Sequence, residues 1–364
     1  MMNLYWFLPG HGDGRELSKA HQGINRPPRR VPTIDYLAQV ALASEGLGFT
    51  GALVPTGLFC EDPWVVSSAL ATRTSRLKFL IAVRPGMISP LLLGQMASTF
   101  QSLSGDRLLF NVVTGGDLDE QRRYGDWLDH DQRYERTRQF LGIMRRLFAG
   151  EEVTVDDELH HLQRAKLQRP PQTAPALFIG GSSAGARRAV AEAGDVYLTW
   201  GETPSELAAM MTQAEEEAKN YGRSISCGTR FHVIARPTAD EAWSIAQRLL
   251  ETIDPERVQE ARARFARSDS EGQRRVARLL EDKTNDRFEV YPNIWAGYSL
   301  VRPGSAALVG SYDEVAERIT ELHNLGLQHL ILSGQPHLEE AYEFGEGVMP
   351  ILRRQGVIPA GPSS

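Results

Sequence analysis

The stretch ALFIGGSSAGARRAVAEAGDVYLTWGE, Ala176–Glu202, carries the decisive pattern. An apolar run, Ala176–Gly180, ends in a Gly-Gly-Ser-Ser turn. A segment with apolar residues three and four apart, Ala184–Ala193, follows, and then a second apolar run, Asp195–Trp200. This is strand, helix, strand. The near-continuous apolar character means that both strand faces are buried, as in a parallel sheet covered by helices. The same unit recurs along the chain, with further runs at Asn3–Pro9, Gly51–Pro55, Lys78–Arg84, Leu108–Thr114, Cys227–Ala235 and His329–Ser333. Helical patterns occupy Ile34–Leu47, Trp64–Arg73, Leu91–Leu103, Arg133–Phe148, Ser205–Tyr221, Asp240–Thr252 and Asp313–Leu325, with a closing helix at Glu339–Arg353. Eight such units predict an α/β fold of the TIM (β/α)8 barrel type. An open doubly wound sheet is the competitor, disfavoured by the count and by the lack of a nucleotide fingerprint.

The 364 residues suit one barrel domain, 1–364, with two insertions. Residues 151–168 alternate in short runs that suit a hairpin. Residues 255–310, a long polar connection between the seventh and eighth units, read as a lid or a solvated helical excursion. Lys+Arg 40 against Asp+Glu 46 gives a net charge of −6 with interspersed signs, which argues against nucleic acid or an anionic membrane as partner. Two cysteines cannot build a disulfide framework, and no apolar stretch reaches the roughly 20 residues of a membrane span. The expectation is a soluble, cytoplasmic protein.

Barrel sites form at the C-terminal ends of the strands. The residues leaving the strands are His11; Thr56 and Cys60; Arg84; Thr114 to Asp117; Gly181, Ser182 and Ser183; Trp200 to Glu202; Arg230 and His232; and Gln335 to His337. Arg230, His232 and Arg302, with the Trp200 indole and no carboxylate cluster to oppose them, favour an anion such as a sulfonate or carboxylate. Gly180-Gly181-Ser182-Ser183 opens a helix and can hold a phosphate, or merely cap that helix. His130 and Tyr134, four apart, share a helix face and can add donors to the same phosphate, although His130 could equally neighbour a cap.

Other signals fail. Gly10-His11-Gly12-Asp13-Gly14 opens into a polar loop, whereas a dinucleotide fingerprint must enter a helix. His11, Asp13 and His21, or His160 with His161, lack compact metal-ligand spacing, and solvated loop histidines are the better reading. Cys60 has no identifiable general base beside it, which leaves a thiol lining a pocket.

Taken together these residues resemble the flavin-dependent alkanesulfonate monooxygenases of the bacterial luciferase-like superfamily. The matching segments run in order from Trp6–Gly14 through Pro55–Gly57, Cys60–Asp62, Asn111–Asp117, Arg133–Glu135, Gly180–Ser183, Tyr197–Glu202, Arg230–Ile234 and Asn293–Gly297 to Pro336–Tyr342. The resemblance implies a barrel with a mobile lid and reduced FMN supplied by a separate NAD(P)H-dependent flavin reductase. It also implies dioxygen as oxidant, an aldehyde and sulfite as products, and a homodimer or homotetramer. It assigns Tyr134, Ser182 and Ser183 to the FMN phosphate, with His130 nearby and Cys60 on the flavin face beside Thr56 and Thr114. Trp200, Arg230, His232 and Arg302 would hold the sulfonate, with His11, Phe59, Gln335 and His337 around the substrate.

The chain departs from that family where the substrate tail would lie. Leu58-Phe59 replaces Arg-Ser, Gln335 replaces Tyr, and Pro303-Gly304-Ser305 alters a Gly-rich stretch. A carboxamide offers two donors and an acceptor to hydroxyls, and a Phe face suits sugar C–H groups. A sulfonated sugar such as sulfoquinovose is therefore the first candidate substrate, and a short alkanesulfonate such as methanesulfonate the alternative. A deazaflavin-dependent dehydrogenase and a non-catalytic flavin-binding protein are the rival functions.

Overall fold

The computed structural model describes residues 1–15, 30–253, 287–300 and 306–361, with positions 256, 258, 259, 271 and 275. Eight parallel strands close into a barrel: β1 (Asn3–Phe7), β2 (Gly51–Val54), β3 (Lys78–Val83), β4 (Leu108–Val112), β7 (Leu177–Gly180), β8 (Val196–Trp200), β9 (Ser226–Arg236) and β13 (Leu327–Ser333). They pair in that order around the ring, β8 with β9, β9 with β13, and β13 with β1. This is the expected (β/α)8 barrel. Between β4 and β7 lies an antiparallel hairpin, β5 (Val153–Asp156) and β6 (His161–Ala165).

Alternation along each strand builds two cores. Tyr5, Phe7, Leu53, Leu80, Phe178, Leu198 and Ile331 fill the interior, while residues of opposite parity such as Trp6, Phe79, Phe110 and Ile179 pack outward beneath the helices. At Gly228 of β9 a Cβ would lie 2.8 Å from both Leu198 Cδ2 and His329 Cβ, so the barrel interior leaves no room for a side chain there. Helices α1 (Ile34–Leu47) and α6 (Ala184–Ala193) match their expected spans, since both have explicit caps. Thr33 accepts from Tyr36 N–H and Ser183 from Ala186 N–H.

Two expectations are corrected, and one element is new. The polar connection ends in framework rather than in a solvated excursion: β10 (Glu289–Tyr291), β11 (Ile294–Trp295) and β12 (Ala307–Ser311) extend the sheet, with β12 pairing in parallel with His232–Arg236 of β9. Trp295 and Tyr298 are fully buried there against α8 (Ala239–Glu251). A six-residue helix, α4 (Leu118–Arg123), follows β4 and was not expected. The closing helix is broken into α10 (His337–Tyr342), a π-helical segment Glu343–Val348 and α11 (Met349–Arg354), following α9 (Tyr312–Asn324). Gly345 and Gly347 approach Leu47 and Tyr312 so closely that a Cβ would collide, and Pro350 supplies no N–H to the ladder.

Asp13 fastens the loop after β1 to the loop after β13. Its carboxylate is fully buried and accepts from Tyr36 O–H, Gly14 N–H (2.8 Å) and His337 N–H (2.8 Å), with His337 Nδ1 at 3.1 Å. Burial alone would raise its pKa, but His337 and Tyr36 together hold it well below the usual carboxylate range. Such a group contributes stability that is full above the unfolded pKa, about 4, and is lost as the pH falls toward the folded value. Asp13→Ala should therefore lower the unfolding free energy at neutral pH by about 3 kcal/mol, as measured by urea denaturation. The gap to the native protein should narrow below about pH 4. A gap that stays constant down to about pH 3 would contradict this account.

Candidate active site

Strand parity selects the side chains that meet at the C-terminal mouth, because each step of two residues beyond the interior core keeps the same face. On β8 this brings up Trp200 and on β9 Arg230, which stand opposite each other in register. The Arg230 guanidinium lies 4.3 Å from the Phe7 ring centroid and 5.5 Å from that of Trp200. Two aromatic rings thus lie within cation–π reach of it. Two residues on, His232 is buried, with Nδ1 2.8 Å from Ser333 Oγ and its ring stacked on Tyr298 at 4.1 Å and 10°. His11 and His337 meet edge to face at 6.4 Å beside Phe7, and Gln335, two residues before His337, is buried. Arg302 lies outside the described residues. Of its flanks, Ala306 accepts from His232 N–H (3.0 Å) and donates to Gly201 O (3.3 Å). Phe59 stands at the rim, 58% exposed.

The opposite arc of the mouth, on β2, β3, β4 and β7, carries buried polar atoms that lack partners among the described residues: Arg84 Nε and Nη1, Thr114 Oγ1, Gln121 Nε2 and Ser182 Oγ. Each such group costs roughly 1–3 kcal/mol when left unfilled, so the arc is built for a polar ligand. Gly181 (φ 142°) turns the chain where a Cβ would fall 2.4 Å from Tyr134 Oη, and Gly185 packs on the same ring. Tyr134 therefore lies against the first turn of α6, whose early N–H groups face the loop. His130 packs on Tyr134 at 4.9 Å; it is the first residue of α5 (His130–Phe148), directly after the capping Asp129. Thr56 is half-buried in the loop after β2. Burial, with Glu120 adding to it, pushes the Cys60 thiol up to about 12, so it stays a protonated thiol at neutral pH.

The carboxylates at this end of the barrel are separately ion-paired. Glu202, fully buried beside Trp200, takes two prongs from Arg275 at 2.8 to 3.1 Å, and Glu340 takes two from Arg236 at 2.5 and 2.9 Å. Glu120 accepts from Arg84 Nη2 (2.8 Å) and Leu58 N–H (2.9 Å). Each carboxylate is matched by its own donors, as burial demands. Sequence reasoning missed Glu120 and Gln121 because α4 is too short to show periodicity; Asp117, whose side chain accepts from Glu120 N–H, was the available signal. Ser333 and Tyr298, which set His232, carried no motif. His160 is buried against Phe140 rather than solvated, and His161 is exposed.

The sequence profile of the luciferase-like monooxygenases matches residues 2–329. Among solved structures, riboflavin lyase with modified FMN and its substrate riboflavin is 20% identical over 100% of this chain and 94% of its own, with a TM-score of 0.78. The EDTA monooxygenase of Chelativorans sp. BNC1 is 18% identical over 98% and 95%, also at 0.78. The oxygenating constituent of 3,6-diketocamphane monooxygenase from Pseudomonas putida, in complex with FMN, is 17% identical over 96% and 98%, at 0.69. At these identities the structural likeness is one of fold, whereas the profile covers most of the chain. The chain belongs to the luciferase-like monooxygenase family.

Proposed function

We propose that this chain is a reduced-FMN-dependent organosulfonate monooxygenase that breaks a carbon–sulfur bond to give an aldehyde and sulfite, with a sulfonated sugar such as sulfoquinovose as favoured substrate. The observation that supports it is the pairing of two unlike half-mouths: a planar guanidinium held between Phe7 and Trp200 faces an arc of unfilled buried donors and hydroxyls.

The residues present fit FMN. Ser182 Oγ, buried and unpartnered among the described residues, and the Gly181 turn against Tyr134 form a cradle for a phosphate monoester. Ser182, Ser183, Tyr134 and the α6 N-terminus would hold that phosphate, with His130 beside them. When bound, reduced FMN supplies two electrons to dioxygen, so that one oxygen atom enters the aldehyde and the other leaves as water.

The chain's own contribution is binding, orientation and dryness. Arg230 offers coplanar N–H donors, which suits the paired oxygens of a sulfonate. His232, with Nδ1 committed to Ser333 and its ring to Tyr298, is oriented beside that anion and helps hold the charge released with sulfite. Tyr298 and Trp295 wall this side against water. Gln335 offers amide hydrogen bonds to hydroxyls on the tail, and Phe59 an apolar face at the rim. A site built to satisfy hydroxyls rejects tails that lack them. A separate NAD(P)H-dependent reductase would supply the reduced FMN.

Sulfite release should require reduced FMN and dioxygen together and should favour sulfoquinovose over methanesulfonate and octanesulfonate. Turnover of the plain alkanesulfonates alone would move the substrate to the alternative, and equal sulfite release under strict anaerobiosis would reject the reaction type. Arg230→Lys keeps the charge and loses the fork, so kcat/KM should fall by about 10- to 100-fold. Full activity in that variant would show that a point charge suffices.

A further inference from the structure

Arg84 belongs to the unfilled arc and occupies a built setting. Two residues past Ala82 on β3, it keeps the inward parity. Its side chain is 8% exposed, Nη2 donates to Glu120, and the guanidinium lies over the Tyr124 ring at 5.2 Å. Nε and Nη1 are buried without an acceptor among the described residues. Arg84 and Glu120 both act electrostatically on Cys60, which places the pair at the loop after β2. Following the mouth from β7 to β4 to β3, the unfilled groups are Ser182, Thr114 with Gln121, and Arg84. A phosphate held at the β7 end leaves the ring system of the same molecule to lie toward Arg84.

We propose, on the reading of the site as an FMN site, that Arg84 donates to the pyrimidine edge of the flavin ring and makes the site prefer reduced over oxidised FMN. That edge carries two carbonyl oxygens. In the reduced anion the negative charge spreads over N1 and the neighbouring carbonyl, whereas oxidised flavin is neutral there. A fixed cation at that edge therefore binds the reduced form more strongly. Glu120 holds the guanidinium in place through Nη2 and offsets part of its charge.

The test is an anaerobic titration of the native protein, Arg84→Met, Arg84→Lys and Glu120→Gln with oxidised and with photoreduced FMN, read by tryptophan fluorescence. Arg84→Met should weaken reduced FMN by about tenfold or more and oxidised FMN by about threefold or less. Arg84→Lys should recover part of that preference. Glu120→Gln keeps an acceptor for Leu58 N–H while removing the offsetting charge, so it should shift the preference further toward the reduced form. The bound flavin's midpoint potential should follow at about 30 mV for each tenfold change in that ratio. Equal weakening of both forms in Arg84→Met, or no weakening, overturns the assignment while leaving FMN binding standing. A native protein that binds neither form overturns the FMN reading and this inference together.

Discussion

The two-residue period of a β-strand, closed into a ring of eight, is the constraint on which the rest of this molecule depends. Once Phe7, Leu53, Leu80 and Leu198 fill the interior, the next residues of the same parity have only the mouth to occupy, and this is how Trp200, Arg230 and Arg84 come to share one space. The ring also explains where polar atoms can be afforded. Below the mouth the interior is mostly apolar, with His329 held against the Tyr5 hydroxyl at 3.2 Å, while above it the carboxylates are matched to donor sets: Asp13 to Tyr36 and His337, Glu202 to Arg275, Glu120 to Arg84.

The two sides of the mouth differ in chemistry. The side made by β9 and β13 is occupied by groups already locked by neighbours, Arg230 between two rings and His232 between Ser333 and Tyr298. The side made by β3, β4 and β7 holds donors and hydroxyls with nothing to bind among the described residues. Rigid donors on one side suit a small anion whose position must be exact to within a hydrogen bond, and unfilled polar atoms on the other suit a ligand that supplies many acceptors at once. The long strand β9 makes this possible. Its first half seals the barrel against β8, and its second half carries β12, bringing Tyr298 down onto His232.

Much of this was legible in the sequence, for physical reasons that differ by element. The eight strands showed because both faces are buried and the runs are therefore apolar throughout; α6 showed because Ser183 caps it and its apolar spacing is regular. Most mouth residues followed from strand ends alone. Three kinds of feature stayed hidden. Helix α4 is too short for a period, β12 lies in a run of small residues behind Pro303-Gly304, and the ion pairs join residues far apart in the chain, Arg236 with Glu340 and Arg275 with Glu202. Asp13 was visible as a residue but not as a tie between two loops, since only the folded chain brings Tyr36 and His337 to it.

The central claim is that the mouth is divided, flavin over β3, β4 and β7 and anion over β8, β9 and β13. A crystal structure of the protein soaked with FMN and a non-reactive sulfonate tests it most directly. The account predicts the phosphate within hydrogen-bond distance of Ser182 and Ser183 near Tyr134, and the sulfonate on Arg230. A phosphate seated on Arg230, with the Ser182 loop bare, would contradict it.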